Sequence, residues 1–272
     1  MILPHNIDIA QSQKYYLSIR LTPNGFSFSI FSPADASVFF FKEVDFNDNL
    51  SVMENVKKIF FEVNLFSQPY RKIFITMVSP HFTLVPEHFF DAKNREDYFN
   101  FNFNFNLEKK QVLSCQPRKS DCHIVYNLDS ELHAFLYRNL WNPVFLPFTT
   151  HLIPFFKDYR NEVEAKRCFV DFHDSMVTIV CFDRDRLLSA HTFHTGDTHD
   201  TLFGIVNIWE KQPLDQNSDI LFLSGDISGN KMSIDILRQL IRNVEEVDIA
   251  SKIPLNNFDK TLPTDILLQL CV

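Results

Sequence analysis

Glycine is scarce in this sequence. The chain has five glycines in 272 residues, whereas average usage would give about 19. Proteins that hold phosphate groups with backbone amides use glycine to bring the chain close to the ligand and to reach positive φ angles. The shortage therefore counts against an enzyme that cradles phosphates in glycine-rich loops.

The chain also lacks a zinc or redox motif, a basic face and a membrane-length apolar run. Its five cysteines include no CxxC pair, which favours reduced thiols in the cytoplasm. The net charge of −8 argues against nucleic acid as a partner. The apolar stretch "LWNPVFLPFTTHLIPFF" is interrupted by Pro143, Pro147, His151 and Pro154, so no integral membrane protein is expected. The opening residues have no basic segment followed by an apolar core, and no signal peptide is expected.

One order of elements is predicted twice along the chain. Residues 15–21, 26–32 and 37–44 read as three strands, followed by an amphipathic helix in "DNLSVMENVKKIFFEVN" and a buried strand in "RKIFITMV". From residue 167 the segments "RCFVDFH", "MVTIVCFD" and "LLSAHTFH" again predict three strands. A helix in "DTLFGIVNIWEKQPL", a strand in "SDILFLSG" and a helix in "NKMSIDILRQLIRNV" follow them. Two related halves are therefore predicted, at residues 1–165 and 166–272.

The first half carries extra material at about residues 80–165. The sequence predicts helices in "PEHFFDAKNREDYFNF", "DSELHAFLYRNL" and "THLIPFFKDY", and strands in "CHIVYNL" and "PVFLPF". In "FNFNFNFN", residues 99–106, Phe and Asn alternate strictly. Alternation with a period of two predicts a strand that buries its phenylalanine face.

The repeated order resembles the actin-like ATPase fold, which has one copy in each lobe. "CFVDFHDSMVTIVCFDRDRLLSAHTFHTG" resembles the second phosphate hairpin of bacterial actin homologues in pilus assembly and cell division, and "DILFLSGDISG" resembles their adenosine-side loop. The whole chain resembles an uncharacterised bacterial family assigned to this fold, through "TLVPEHFFD", "IVYNLDSEL" and "LLQLC". The resemblance implies an α/β protein with a two-lobed actin-like ATPase (ribonuclease H-like) fold, each lobe a mixed sheet with flanking helices.

The resemblance also implies candidate nucleotide contacts. In ATP-hydrolysing members each lobe has an acid, a glycine two residues later, and then a Thr or Ser, which together serve magnesium and phosphate. In the second lobe Asp171 matches the acid, while His173 replaces the glycine and Ser175 or Thr178 could supply the hydroxyl. In the first lobe Arg20 or Thr22 stands where the acid belongs. The further candidate contacts are Asp174, Ser224, Gly225, Asp226 and Gly229.

The glycine pair in "LSGDISG" allows two interpretations. Gly225 and Gly229 lie between a buried strand and a helix, where backbone amides and the helix N-terminus favour an anion. Alternatively, Gly225 only makes the turn and Asp226 or Ser228 caps the helix.

Three functions are therefore compared. The absent glycines and the missing first-lobe acid favour a non-catalytic scaffold or regulator that acts through protein contacts and needs no cofactor. The alternative is a divergent ATPase or kinase-like enzyme that binds ATP with magnesium through Asp171 and the Gly225 loop. The third is a metal-dependent hydrolase, since Asp171 and His173 lie two apart and share a strand face, although no HExxH spacing occurs. The protein partner and the oligomeric state are left open by the sequence.

Overall fold

The computed structural model describes residues 4–104, 106–253 and 262–270. These residues divide into two compact units. Of the described residues, the first unit contains 4–116 (without 105) and 120–150, and the second contains 117–119, 151–253 and 262–270.

The first unit is built on a five-stranded mixed sheet and a smaller three-stranded sheet. Its strands are β1 (Tyr16–Leu21), β2 (Gly25–Phe31), β3 (Phe39–Asp45), β4 (Lys72–Met77), β5 (Phe82–Pro86), β6 (Lys110–Cys115), β7 (Cys122–Asp129) and β8 (Val144–Pro147). Its helices are α1 (Val52–Glu62), α2 (Arg95–Phe103) and α3 (Ser130–Asn139). The large sheet has the order β3-β2-β1-β4-β8, in which β1, β2 and β3 are antiparallel and β4 and β8 run parallel to β1. The predicted meander, helix and strand are confirmed.

Helices α1 and α3 bury their apolar sides on one face of this sheet. Val56 and Ile59 of α1 and Leu136 of α3 share a core cluster with β1 and β2. The side chain and backbone of Ser51 exchange hydrogen bonds with Glu54, so a capping box starts α1. The Asp129 carboxylate accepts hydrogen bonds from the Glu131 and Leu132 amides and starts α3.

The predicted strand at residues 99–106 is wrong, because this segment belongs largely to α2. The helix continues to Phe103, and Asn104 ends it with a left-handed φ of 45°. The rings of Phe99 and Phe103, four residues apart, lie 4.8 Å from each other, while Phe101 is 90% exposed. The packing of α2 on the small sheet explains the helix. Phe99 joins Val85, Val112 and Val125 of that sheet in a core cluster, and Phe103, one helical turn later, packs against the same cluster. Residue 105 lies outside the described residues.

The second unit repeats the sheet of the first. Helix α4 (Thr149–Asp158) leads into strands β9 (Arg167–His173), β10 (Met176–Asp183), β11 (Arg186–His194), β12 (Ile220–Gly225) and β13 (Asn243–Glu246), with helices α5 (Thr198–Lys211), α6 (Lys231–Leu240) and α7 (Thr264–Gln269). The sheet order is β11-β10-β9-β12-β13, with β9, β10 and β11 antiparallel and β12 and β13 parallel to β9.

The helix predicted in "NKMSIDILRQLIRNV" ends earlier than its periodicity indicates. Ile241 is extended, with φ −121° and ψ 127°, and Val244 pairs with Leu221 in the parallel ladder of β12 and β13. Apolar residues at helical spacing cannot be distinguished here from a short buried strand, so β13 was not predicted. Helix α7 was not predicted either.

One face of β9 packs on an apolar core, and the end of its other face carries two polar candidate residues. Cys168, Val170 and Phe172 point toward α5 and α6, whose residues complete one core cluster. Because side chains alternate along a strand, Asp171 and His173 lie on the opposite face. The alternation therefore puts both candidate contacts of β9 on the face that does not pack on α5 and α6.

Candidate functional site

The turn between β9 and β10 is closed by two residues without glycine. His173 pairs with Met176, and the intervening Asp174 and Ser175 both have positive φ angles, 48° and 59°. A two-residue hairpin turn with two left-handed residues is the type I′ turn, in which asparagine, aspartate and glycine are preferred. The chain therefore makes a sharp turn but adds side chains where a phosphate-binding turn would have bare backbone.

Asp171, the candidate acid, is buried inside the second unit. Its side chain and backbone are together only 1% exposed, and its Oδ1 accepts a hydrogen bond of 2.6 Å from the Ser224 hydroxyl. The Thr264 side chain, at the start of α7, also lies against the carboxylate and favours its charged form. Burial raises the pKa of Asp171, and the nearby Asp265 raises it further, while His173 and the two hydroxyls act in the opposite direction. This carboxylate is held by the protein's own hydroxyls.

His173 is held through both ring nitrogens, one by the sheet and one by the turn. Its Nε2 lies 2.8 Å from Thr178 Oγ1, which in turn lies 2.8 Å from Thr192 Oγ1. Its Nδ1 lies 3.3 Å from the Asp174 carboxylate. The imidazole therefore occupies the place of the glycine in the resemblance, and its hydrogen bonds hold it there.

The Gly225 loop carries its own anion. The Asp226 carboxylate accepts hydrogen bonds from the Gly229 amide at 2.9 Å and the Ser228 hydroxyl at 3.1 Å. These donors lie just before α6, where an external anion would be expected to bind. The Asp226 side chain thus accepts from donors that an external anion could otherwise use.

The candidate residues fall into two groups around two cavities. His173, Asp174, Ser175, Asp226 and Gly229 line a cavity of about 340 Å³ at the start of α5 and α6. A second cavity, of about 360 Å³, is lined by the other two loop residues, Ser224 and Gly225, together with Thr264 and Leu267 of α7. Asp171 lines neither of these two cavities.

The electrostatics of the first cavity oppose a polyphosphate. Three carboxylates line it, those of Asp174, Asp197 and Asp226. Asp197 accepts hydrogen bonds from the His199 and Asp200 amides and so caps α5 with a negative charge. The cavity therefore pairs the N-termini of two helices with carboxylates of the chain itself, and a nucleotide would have to displace or neutralise them.

The turn of the first unit has a different construction. The Thr22 amide donates a hydrogen bond of 3.1 Å to the Gly25 carbonyl, and the Thr22 hydroxyl lies 3.3 Å from the same oxygen. Arg20 is buried near the end of β1. The end of this strand therefore presents a cation and a hydroxyl where the resemblance requires an acid.

The possible metal ligands of the described residues do not gather into a metal centre. Within residues 4–104, 106–253 and 262–270, no group of three or more His, Cys, Asp or Glu side chains could hold a metal ion. Asp171 and His173 do share a strand face, as the sequence indicates, but Ser224, Thr264 and Thr178 already engage them.

The contact of Thr264 with Asp171 could not be found from the sequence. The two residues are far apart along the chain, and no element was predicted in "LPTDILLQL". A long-range contact of this kind has no sequence signal without the fold.

The buried Asp171 should make stability depend on pH in a defined direction. Because its folded-state pKa is raised, its contribution is fully present below the unfolded pKa of about 4 and is lost as the pH rises through the folded value. Asp171→Asn should therefore gain stability relative to the wild type between acidic and neutral pH. Urea denaturation of both proteins across this range measures the difference.

The matched control is Asp183→Asn, on the same hairpin but in an ion pair of 3.0 Å with Arg186 at the surface. This variant should keep the pH dependence that Asp171 causes. A wild type and an Asp171→Asn variant with parallel pH profiles would show that Asp171 does not titrate as its burial requires.

Solved structures define the class of protein. A Bacteroides thetaiotaomicron protein with actin-like ATPase fold and unknown function matches with a TM-score of 0.84 and 27% identity, over 98% of this chain and 99% of that one. The PilM-PilN type IV pilus biogenesis complex matches with a TM-score of 0.51 and 12% identity, over 95% of each chain. The AlfA filament from a B. subtilis plasmid matches with a TM-score of 0.42 and 9% identity, over 93% of this chain and 96% of that one. The chain has the actin-like ATPase fold.

The family follows from the sequence. The model of the family described as "Protein of unknown function (DUF3822)" matches residues 4–244, and the chain belongs to this family. No curated protein matches the sequence. Among the described residues, no helix has the length and apolar character needed to cross a membrane.

Proposed function

We propose that this protein is a non-catalytic member of the actin-like class, a cytoplasmic scaffold or regulator that acts through protein contacts. The observation that carries the proposal is the closure of Asp171. In an ATP-hydrolysing site the acid must face magnesium and water. Here it is buried, the Ser224 hydroxyl donates a hydrogen bond to it, and the Thr264 side chain interacts with it.

Two further features support the same proposal. The His173 ring fills the place of a glycine, and the Asp226 carboxylate accepts from the amide and hydroxyl that would otherwise be free for phosphate. Phosphoryl-transfer catalysis depends almost entirely on positioning the phosphates and stabilising their charge. A site without an accessible acid for magnesium and without backbone amides near the phosphates can do neither. The fold is compatible with a role in assemblies, because one similar solved structure is a pilus biogenesis complex.

The second candidate is a divergent nucleotide-binding protein that uses ATP with magnesium. It is favoured by the cavity of about 340 Å³ at the start of α6. The N-cap residue of this helix, Asn230, makes no side-chain cap hydrogen bond to the first amides of the helix. Because the Asp226 carboxylate would then have to swing away, this candidate predicts a structural change in the loop on binding.

Calorimetry with ATP and magnesium separates the two candidates. We expect no binding heat for the wild-type protein at micromolar concentrations, because Asp226 already accepts from the donors of the Gly225 loop and Asp171 is buried. Micromolar affinity that is lost in Asp171→Ala but retained in the surface control Asp183→Ala would overturn the proposal and establish the nucleotide-binding candidate. Metal analysis of the same protein sample tests the hydrolase hypothesis, which requires stoichiometric zinc or manganese that is lost in His173→Ala.

A further inference from the structure

Two free cysteines face each other across the β9–β10 hairpin. Cys168 pairs directly with Cys181 in the antiparallel ladder, and their sulfur atoms lie 3.5 Å apart. Both residues are fully buried in the core beneath α5 and α6.

The position of the pair in the ladder suits a covalent bond. In a hairpin with a two-residue turn, the pair next to the turn, His173 with Met176, is hydrogen-bonded, and hydrogen-bonded and non-hydrogen-bonded pairs then alternate. Counting along the register makes Cys168–Cys181 a non-hydrogen-bonded pair, for which Cα atoms lie about 4.5 Å apart. This spacing falls within the range of about 4.4–6.8 Å that disulfides require. The sulfur atoms need only approach by about 1.5 Å more.

We propose that Cys168 and Cys181 form a reversible redox pair, which a peroxide converts to a disulfide across the hairpin. One thiol is oxidised by hydrogen peroxide to a sulfenic acid with release of one water. The second thiol gives up its proton and attacks that sulfur, and the sulfenic hydroxyl takes up a proton and leaves as a second water. Two thiols and one peroxide thus give one disulfide and two waters, and a dithiol reductant reverses the change.

The burial of the two thiols makes their oxidation slow. The hydrogen bond from Cys181 and the burial of Cys168 raise the pKa of the Cys168 thiol, so little thiolate is present at neutral pH. Oxidant reaches the sulfurs only when the hairpin opens locally. The pair therefore responds to sustained oxidation and not to a brief pulse.

The disulfide would leave the polar cluster intact. Cys168 and Asp171 lie on opposite faces of β9, since side chains alternate along the strand. The bond would tie β9 to β10 beneath the helices, while the Asp171–Ser224 hydrogen bond on the other face stays in place. Oxidation should then hold the hairpin closed without rearranging the candidate contacts.

Mass spectrometry of the full chain tests the proposal. Trypsin cleaves after Arg167 and Arg184, so residues 168–184 form one peptide that contains both cysteines. After prolonged exposure to hydrogen peroxide and alkylation, we expect this peptide without alkyl groups and lighter by two hydrogen atoms. Reduction with dithiothreitol before alkylation should restore two alkyl groups. The thermal unfolding midpoint of the oxidised protein should rise above that of the reduced protein, because the cross-link constrains the unfolded chain.

Cys181→Ser is the matched control, because it keeps the hairpin and Cys168 but removes the second thiol. It should show neither the lighter peptide nor the rise in midpoint, and folding of this variant is checked by its reduced midpoint. Low concentrations of urea, which increase opening of the hairpin, should accelerate the reaction. The proposal is overturned if the peptide keeps two alkylatable thiols, with and without urea, under conditions that oxidise the less buried Cys115. A sulfinic acid at one cysteine without a link would overturn it equally.

Discussion

Replacing Arg167 by methionine should lower the free energy of unfolding by about 3–5 kcal/mol, because several buried carbonyls lose their donor. Arg167 is fully buried at the start of β9. Its guanidinium donates to the carbonyls of Phe156 and Lys157 at 3.2 and 3.1 Å, and to that of Tyr159. These oxygens belong to the last turn of α4 and the residue after it, where intrahelical donors are lacking. Methionine matches the stem in size but leaves the buried oxygens without partners.

The same side chain joins α4 to a second element. Its other terminal nitrogen donates a hydrogen bond of 2.6 Å to the Arg184 carbonyl in the turn between β10 and β11. The guanidinium carbon also lies 5.5 Å from the centre of the Phe182 ring, which adds a cation–π contact. Arg167→Lys keeps the charge but replaces the planar fork with a point donor, so it should fall between the wild type and the methionine variant.

Urea denaturation measures both variants against Arg186→Met as the control. Arg186 has a side chain that is 71% exposed and an ion pair of 3.0 Å with Asp183. Loss of such a surface pair should change stability by no more than about 1 kcal/mol. If Arg167→Met costs no more than the control, the buried guanidinium is not needed to satisfy the carbonyls at the end of α4.

The repeated elements of the fold could be predicted because each carries its own local signal. The amphipathic period in "DNLSVMENVKKIFFEVN" predicts the helix α1, and the segments at 15–21 and 26–32 predict the strands β1 and β2, which the structure pairs. The second hairpin was also predicted, although its turn uses Asp174 and Ser175 at positive φ. The apolar segments on both sides of the turn, which are buried along nearly their whole length, sufficed to predict its two strands.

The errors arise where local pattern and tertiary packing disagree. In the "FNFN" tract, alternation predicts a strand, yet Phe99 and Phe103 meet on one side of a helix and pack on the small sheet. Ile241 and Val244 fit a helical period, yet Val244 completes a parallel ladder with Leu221. Both segments are short, and for short segments the period alone does not decide between helix and strand.

The candidate site shows the same limit more clearly. The resemblance implied Asp171, His173 and the Gly225 loop as candidate nucleotide contacts, but it could not supply the contacts that these residues make. That Thr264 covers Asp171, and that Asp226 accepts from the Gly229 amide, are facts of tertiary and loop geometry. These contacts, and not the residue types, carry the proposal that the site is closed.

Replacing Gly225 by alanine should be the most damaging single change in the glycine loop, at a cost of about 3–5 kcal/mol. Gly225 has a φ of +78°, in the left-handed region that side chains rarely adopt. A Cβ atom there would lie 2.1 Å from the carbonyl oxygen of Phe172, a backbone atom that cannot rotate away. The same oxygen accepts the Asp226 amide at 2.9 Å, so a shift of the strand would also break this hydrogen bond.

Gly229→Ala is the matched control in the same loop. The Cβ atom would lie 2.2 Å from the Asp226 carboxylate, a flexible side chain that can turn away at the cost of its hydrogen bond to the Gly229 amide, about 1 kcal/mol. Urea denaturation should therefore rank the two variants far apart. Equal, small losses would mean that Gly225 is not needed for the approach of β12 to Phe172. The expected ranking makes the first glycine of the loop a requirement of the backbone, so the glycine pair, despite its resemblance to a nucleotide loop, is not by itself evidence for a nucleotide.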